Sequence, residues 1–212
     1  YGNFAQLTKM TSLLWDEKMV RTYFRQMIEG LEFLHSQGIA HLDIKLDNML
    51  LGDDLKLKIA DFDKSYKKSD TVLMSLGTPN CRAPELLAKN CTDPMAADIY
   101  AAGISLFTMR TGLFPYIEEQ QIKGQNLFDL LKTEDPKFWD IHKTLPSYIN
   151  PLDSSFKELF MGMVKYDPKE RITIEQIKKS AWYNGKYYDQ DTIELLVPSM
   201  LKRVDVFNKI PR

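Results

Sequence analysis

The sequence predicts a mainly α-helical domain with one small β-hairpin near its front. Three observations carry this expectation. Apolar residues recur at helical spacing between Val20 and Leu34. Leu55, Leu57 and Ile59 alternate with Lys56, Lys58 and Ala60 just after a Gly-Asp-Asp turn. The segment from Met95 to Met109 is apolar nearly all round. With 212 residues, 44% hydrophobic and 27% charged, the chain can bury a sizeable core as one large domain or two small ones.

The elements follow in order. Asp16 is placed to cap a helix that runs to about Gln37, with Val20, Phe24, Met27, Ile28, Leu31 and Leu34 on one face. Gly38 is its natural stop. Met49-Leu50-Leu51 and the alternating run that ends at Ile59 then form a hairpin around Gly52-Asp53-Asp54. Asp93 followed by Pro94 marks the start of the apolar helix, which is expected in the middle of the domain. Further helices are expected near Gln121–Leu131, Ser154–Val164 and Ile174–Lys179. The last apolar stretch, Ile193 to Leu201, is broken by Pro198 and is expected to pack back onto the body.

Composition narrows the function. The 28 basic and 29 acidic residues leave a net charge of −1, so no nucleic-acid surface is indicated. The densest basic run, Lys64 to Lys68, reads as a solvated loop. Cys81 and Cys91 form neither a C-x-x-C pair nor a disulfide framework, which fits a reducing, cytoplasmic setting. Ile99 to Met109 is too short for a membrane span, which needs ~20 apolar residues. No membrane partner is expected. No leader peptide opens the chain, and its first residue is not Met, so residues upstream are expected.

The chemistry gathers before and after the hairpin. His41-Leu42-Asp43-Ile44-Lys45-Leu46-Asp47-Asn48 supplies a carboxylate, an ammonium and an amide carbonyl within six residues. The second hairpin strand ends in Ala60-Asp61-Phe62-Asp63, placing another carboxylate just past a strand end. Phosphoryl transfer needs these groups: a carboxylate to orient the attacking hydroxyl, oxygen ligands for magnesium, and positive charge near the moving phosphate. Each piece alone reads equally well as an acidic turn.

Taken together the pieces resemble the protein-kinase set of H-R-D-x-K-x-x-N, D-F-G and A-P-E, present here as HLDIKLDN at 41–48, DFD at 61–63 and Ala83-Pro84-Glu85. Asp98 with Gly103 in the apolar helix, and Asp167-Pro168-x-x-Arg171 before the last expected core helix, extend the likeness. So does Gly77-Thr78-Pro79-Asn80-Cys81-Arg82-Ala83-Pro84-Glu85. The resemblance is to the carboxy-terminal lobe of a Ser/Thr protein kinase, similar to the calcium/calmodulin-dependent and AMP-activated group. It covers 1–182, with 183–212 as a tail that in this group can engage a regulatory partner. It implies ATP and Mg²⁺ as cofactors and protein Ser/Thr hydroxyls as acceptors. Asp43 is then the catalytic base, Lys45 contacts the γ-phosphate, and Thr78 helps to orient the substrate. Asn48 and Asp61 ligate magnesium, and Leu50 lies under the adenine. The resemblance also stacks His41 on Phe62, anchors them through Asp98, and pairs Glu85 with Arg171. Asp47 sits where an acid favours substrates with upstream basic residues.

Four departures qualify the likeness. Leu42 stands where the family has Arg, and Met74 where it often has a phosphorylated residue, so activity is expected not to need phosphorylation there. Ser69, Thr71 and Ser75 remain as other phosphorylation candidates. Asp63 replaces the Gly of D-F-G and is one of the few residues that tolerate positive φ. Cys81 replaces a Tyr as a small apolar filler. The glycine-rich loop, strand lysine and helix glutamate of the family's amino-terminal lobe do not occur in these 212 residues. The chain alone is therefore expected to bind ATP poorly. The alternative is a lone, non-catalytic lobe that acts as an interaction module.

Overall fold

The computed structural model describes residues 2–11, 15–67, 79–89, 91–117, 120–145 and 151–208. Helix α1 (Phe4–Thr11) leads into the long α2 (Glu17–Ser36). Asp16 caps α2 as expected, its carboxylate accepting the Met19 N–H at 2.8 Å. Val20, Phe24, Met27, Ile28 and Leu31 on its apolar face are fully buried. Gly38 ends the helix at φ 71°, and its N–H bonds to the His35 carbonyl.

Strand β1 (Ile39–Ala40) precedes the hairpin of β2 (Met49–Leu51) and β3 (Leu57–Ile59), which pair Met49 with Ile59 and Leu51 with Leu57. Leu55 belongs to the turn, at φ 57°, rather than to the strand. Strand β4 (Tyr66–Lys67) returns to pair antiparallel with β1. After the short α3 (Pro84–Leu87), α4 (Pro94–Thr111) runs through the middle of the body. Asp93 caps it by accepting the Met95 and Ala96 N–H groups at 3.1 Å, and Gly112 closes it at φ 74°.

Helix α4 packs on α2 along one side. On another it meets α7 (Ser154–Met163), after strands β5 (Gln121–Ile122) and β6 (Gln125–Asn126) and helices α5 (Leu127–Lys132) and α6 (Lys137–His142). Gly103 makes the α4–α7 approach possible: a Cβ there would lie 2.8 Å from Val164 Cγ1 and 3.0 Å from Met163 Cβ. Helix α8 (Ile174–Lys179) opens with a capping box of Thr173 and Gln176. Helix α9 (Gln190–Asn208) closes the described chain.

Three expectations need correction. The described residues hold three two-stranded sheets, not one hairpin. The segment expected as a helix over Gln121–Leu131 begins as β5–β6, because Lys123 and Gly124 both take positive φ in a tight turn, which suits glycine. Only after Asn126 caps Phe128 and Asp129 does the helix start. Pro198 does not break the tail, since α9 continues through it to Asn208. The tail does pack back: Ile193 and Val197 are buried in the same core as α2 and α4. Among the described residues no helix is long and apolar enough to cross a membrane.

Candidate active site

Asp98 sets the position of the 41–48 loop. Its carboxylate is fully buried in α4. It accepts the His41 N–H at 2.8 Å, the Leu42 N–H at 2.7 Å and His35 Nε2 at 2.9 Å. Burial of the charge is offset by these hydrogen bonds. They hold Leu42 at φ 61°, a left-handed conformation that a leucine rarely adopts and that costs about 1–3 kcal/mol. The Leu42 side chain turns inward and lines a small pocket with Ala83, Leu86 and Ala101. An apolar side chain in that position offers no charge to a phosphate.

That turn delivers Asp43. Its side chain is nearly buried, and its Oδ2 gathers Lys45 Nζ at 3.0 Å, Lys64 Nζ at 3.1 Å and Asn48 Nδ2 at 3.1 Å. Asn48 Nδ2 also donates to the Asp43 carbonyl at 2.9 Å. Both amide protons of Asn48 thus point at Asp43, and its Oδ1 faces the other way, accepting no bond from the described residues. His41 Nδ1 accepts the Asp43 N–H at 3.3 Å, which leaves Nε2 to donate to the Ala60 carbonyl at 3.0 Å.

The hairpin brings up the second carboxylate. The Ala60 N–H donates to the Asn48 carbonyl at 2.9 Å, so Asn48 and Asp61 leave the paired strands side by side. Asp61 sits at φ 65° with its carboxylate exposed and unpaired among the described residues. Its neighbour Phe62 contacts the His41 ring, with centroids 4.9 Å apart, though Phe62 is 44% exposed. The positive φ lies at Asp61 and not at Asp63, the residue that replaces Gly in the family pattern. Leu50 points out of β2, 42% exposed, beside a backbone bridge to Asn3. The Leu51 N–H donates to the Gly2 carbonyl at 3.1 Å.

Glu85 and Arg171 form the expected buried pair. Two parallel contacts of 2.7 and 3.1 Å join them, and Arg171 also donates to the Ala96 and Lys165 carbonyls. The pair fixes α3, behind the site, to α4 and the segment before α8. Cys81, 6% exposed, stands between this region and the loop. Burial pushes its thiol up to about 12, with Asp43 adding to the rise, so the sulfur is a protonated, unreactive filler near neutral pH.

Asp43, Lys45, Asn48 and Asp61 therefore share one end of the hairpin, and Leu50 lies on its outer face. Thr78 lies outside the described residues, as do Met74, Ser69, Thr71 and Ser75. Lys64 is the residue that the sequence reading missed. It belongs to a basic run that looks solvated, and only the turn at Asp63-Lys64 aims it at Asp43. Among the described residues no group of three or more His, Cys, Asp or Glu side chains could hold a metal ion. Magnesium bound to a nucleotide needs less: it keeps waters and takes one or two protein oxygens beside the phosphates. The amide oxygen of Asn48 and the carboxylate of Asp61 fit that demand.

A nearly buried carboxylate contacted by two ammonium groups thus lies at the end of the hairpin that also carries the exposed Asp61. Residues 1–183 match the family described as protein kinase domain, and the chain belongs to it. It is 36% identical over 185 residues to serine/threonine-protein kinase stk11 of Xenopus laevis, covering 84% of this chain and 39% of that protein. The human STK11 is 36% identical over 175 residues, covering 78% and 36%. CBL-interacting protein kinase 26 of Oryza sativa subsp. japonica is 32% identical over 189 residues, covering 86% and 36%. The first two are named as serine/threonine-protein kinases and the third as a protein kinase. The chain spans about two fifths of the length of the relatives it matches.

Proposed function

We propose that the protein carrying this chain transfers the γ-phosphate of ATP to Ser or Thr hydroxyls of proteins, and that residues 1–182 form the carboxy-terminal lobe of its catalytic domain. The observation that carries the reading is the convergence of Lys45, Lys64 and Asn48 on one oxygen of Asp43, with the exposed Asp61 alongside. A structural role alone does not call for two ammonium groups on a single, nearly buried carboxylate.

In this reading Asp43 accepts the proton of the attacking hydroxyl, and the cations of Lys45 and Lys64 face the charge that spreads over the moving phosphoryl group. Asn48 Oδ1 and Asp61 hold Mg²⁺, which when bound neutralises phosphate charge. Leu50 supplies an apolar floor for adenine, and Thr78 assists in orienting the acceptor. The phosphate-gripping elements of the family's other lobe do not occur in these 212 residues. The isolated chain is therefore read as binding MgATP weakly.

Asp43→Asn in the full-length protein tests the reading. Its side chain keeps the size and the hydrogen-bonding frame but loses the base. Phosphotransfer to a Ser/Thr peptide should vanish while the unfolding midpoint stays close to that of the parent. Undiminished transfer would overturn the assignment. A parent protein that transfers no phosphate would favour the non-catalytic lobe.

A further inference from the structure

Away from the site, the segment that leads into α9 is held to α2 by rings and cations. Residues 186–189 cross the surface as a strap that is neither helix nor strand. Side chains of α2 reach up to it and to the residues before it. Arg21 lies over the Trp182 ring at 4.6 Å, and Arg25 stands 4.4 Å from the rings of both Tyr183 and Tyr187. Lys18 lies over the Tyr188 ring at 5.5 Å. Gly185 permits the close approach, because a Cβ there would fall 2.7 Å from Arg21 Cζ. The Thr22 hydroxyl accepts the Tyr188 N–H at 2.9 Å.

The strap ends in a bond that depends on charge. The Tyr188 phenol donates to Asp16 Oδ2 at 2.6 Å, at the surface of the molecule. The other Asp16 oxygen accepts the Met19 N–H and so caps α2. Asp16 has no ion pair among the described residues, whereas its neighbour Glu17 already faces Arg21 and Arg110. The bond holds only while the phenol keeps its proton, and the carboxylate favours that state by raising the Tyr188 pKa above its ordinary value. A phosphate on this oxygen removes the donor and sets up to two negative charges against Asp16. Two more exposed tyrosines stand in the opposite setting. Tyr187 and Tyr166, 52% and 43% exposed, lie against Arg25 and Lys132, which favour added negative charge.

Helix α9 begins at Gln190, just past this bond. Pro198 inside it lacks an N–H and makes it a poor helix on its own. It depends on its seat, where Ile193 and Val197 are buried. We propose that Tyr188 is a phosphorylation site, and that a phosphate there unlatches α9 from the body. The step moves the γ-phosphoryl group of ATP to Tyr188 Oη. The O–H bond breaks, an O–P bond forms, ADP leaves, and the proton passes to the base of the modifying enzyme, a tyrosine-phosphorylating kinase. The inference goes beyond the kinase reading of this chain and does not rest on it.

The test treats the full-length protein with MgATP and a broad-specificity protein tyrosine kinase. Mass spectrometry locates the phosphate, and amide deuterium exchange follows residues 190–208. The parent should carry phosphate at Tyr188, and exchange over α9 should then rise by roughly tenfold or more. Tyr188→Phe keeps the ring, and the same treatment should leave its exchange unchanged. Asp16→Asn keeps a good capping side chain without the opposing charge, so its modified form should release α9 several-fold less than the parent. A protein that takes no phosphate at Tyr188 overturns the site, whether or not Tyr187 is modified. Phosphate at Tyr188 with unchanged exchange overturns the latch. Equal release in modified Asp16→Asn overturns the part given to Asp16.

Discussion

Replacing Asp98 with Asn changes one atom and should loosen the 41–48 loop, which the proposal makes catalytic. Asp98 Oδ2 accepts from His35 Nε2 and His41 N, and Oδ1 accepts from Leu42 N. An asparagine that keeps its oxygen in the first position retains two bonds and turns an NH₂ toward the Leu42 N–H. The opposite orientation retains one bond and loses two. The better choice thus forfeits one charge-assisted bond, about 1.5–3 kcal/mol, and sets donor against donor at the residue already held at φ 61°. The strain at Leu42, about 1–3 kcal/mol, then has less to oppose it, and the loop relaxes. Stability should fall by about 2–4 kcal/mol in urea unfolding. Because Asp43 follows Leu42 directly, a shift on the order of 1 Å should cost about 10²-fold in kcat. If Asp98→Asn keeps both the unfolding free energy and kcat, Asp98 does not hold the loop as described.

Three further outcomes follow from the same structure. Arg171→Ala leaves the buried Glu85 carboxylate unpaired and should cost about 3–5 kcal/mol, read as a calorimetric Tm lower by on the order of 10 °C. Lys64→Ala removes one of the cations on Asp43; its own side chain is partly exposed, so the unfolding midpoint should hold while kcat falls by about tenfold or more. His142 is buried, which lowers its pKa below the ordinary value of 6.5, the bond to the Pro115 carbonyl only partly opposing this. The unfolded chain then binds more protons below that value, so the stability His142 contributes is complete above about pH 6.5 and falls as the solution is acidified. Urea midpoints at about pH 7.5 and about pH 5.5 should differ less in His142→Asn than in the parent.

The long-period signals in the sequence were the dependable ones. The α2 stripe, the Asp16 and Asp93 caps and the presence of the hairpin all follow from spacing within a few residues, and the structure has them. Helix α6 was not legible, because six residues give too little periodicity and two large aromatics fall side by side in it. The β5–β6 turn hid inside a helical pattern, since its only marker is Gly124 after a lysine that must also take positive φ. In the site, the carboxylates and Asn48 could be read from their order along the chain. Lys64 could not, because its role depends on a turn that reverses the chain after Phe62 and on a partner 21 residues earlier. The backbone strain was misplaced for a similar reason. Composition marks Asp63, the residue standing in for glycine, whereas hydrogen bonding to Asp98 and the close of the hairpin put it at Leu42 and Asp61.

The tail has a consequence for where this protein can be cut. The family match stops at residue 183, yet α9 lays Val197, Met200 and Leu201 over Leu7, Trp15, Met19, Tyr23 and Leu51. Gln190 also donates to the Asp54 carbonyl in the hairpin turn. Leu51 is the strand neighbour of Leu50, so the last helix braces the same hairpin that carries the proposed adenine floor. The segment defined by shared ancestry and the segment that keeps its oily back dry are different lengths, and a truncation chosen from the first would uncover a patch that the second exists to seal.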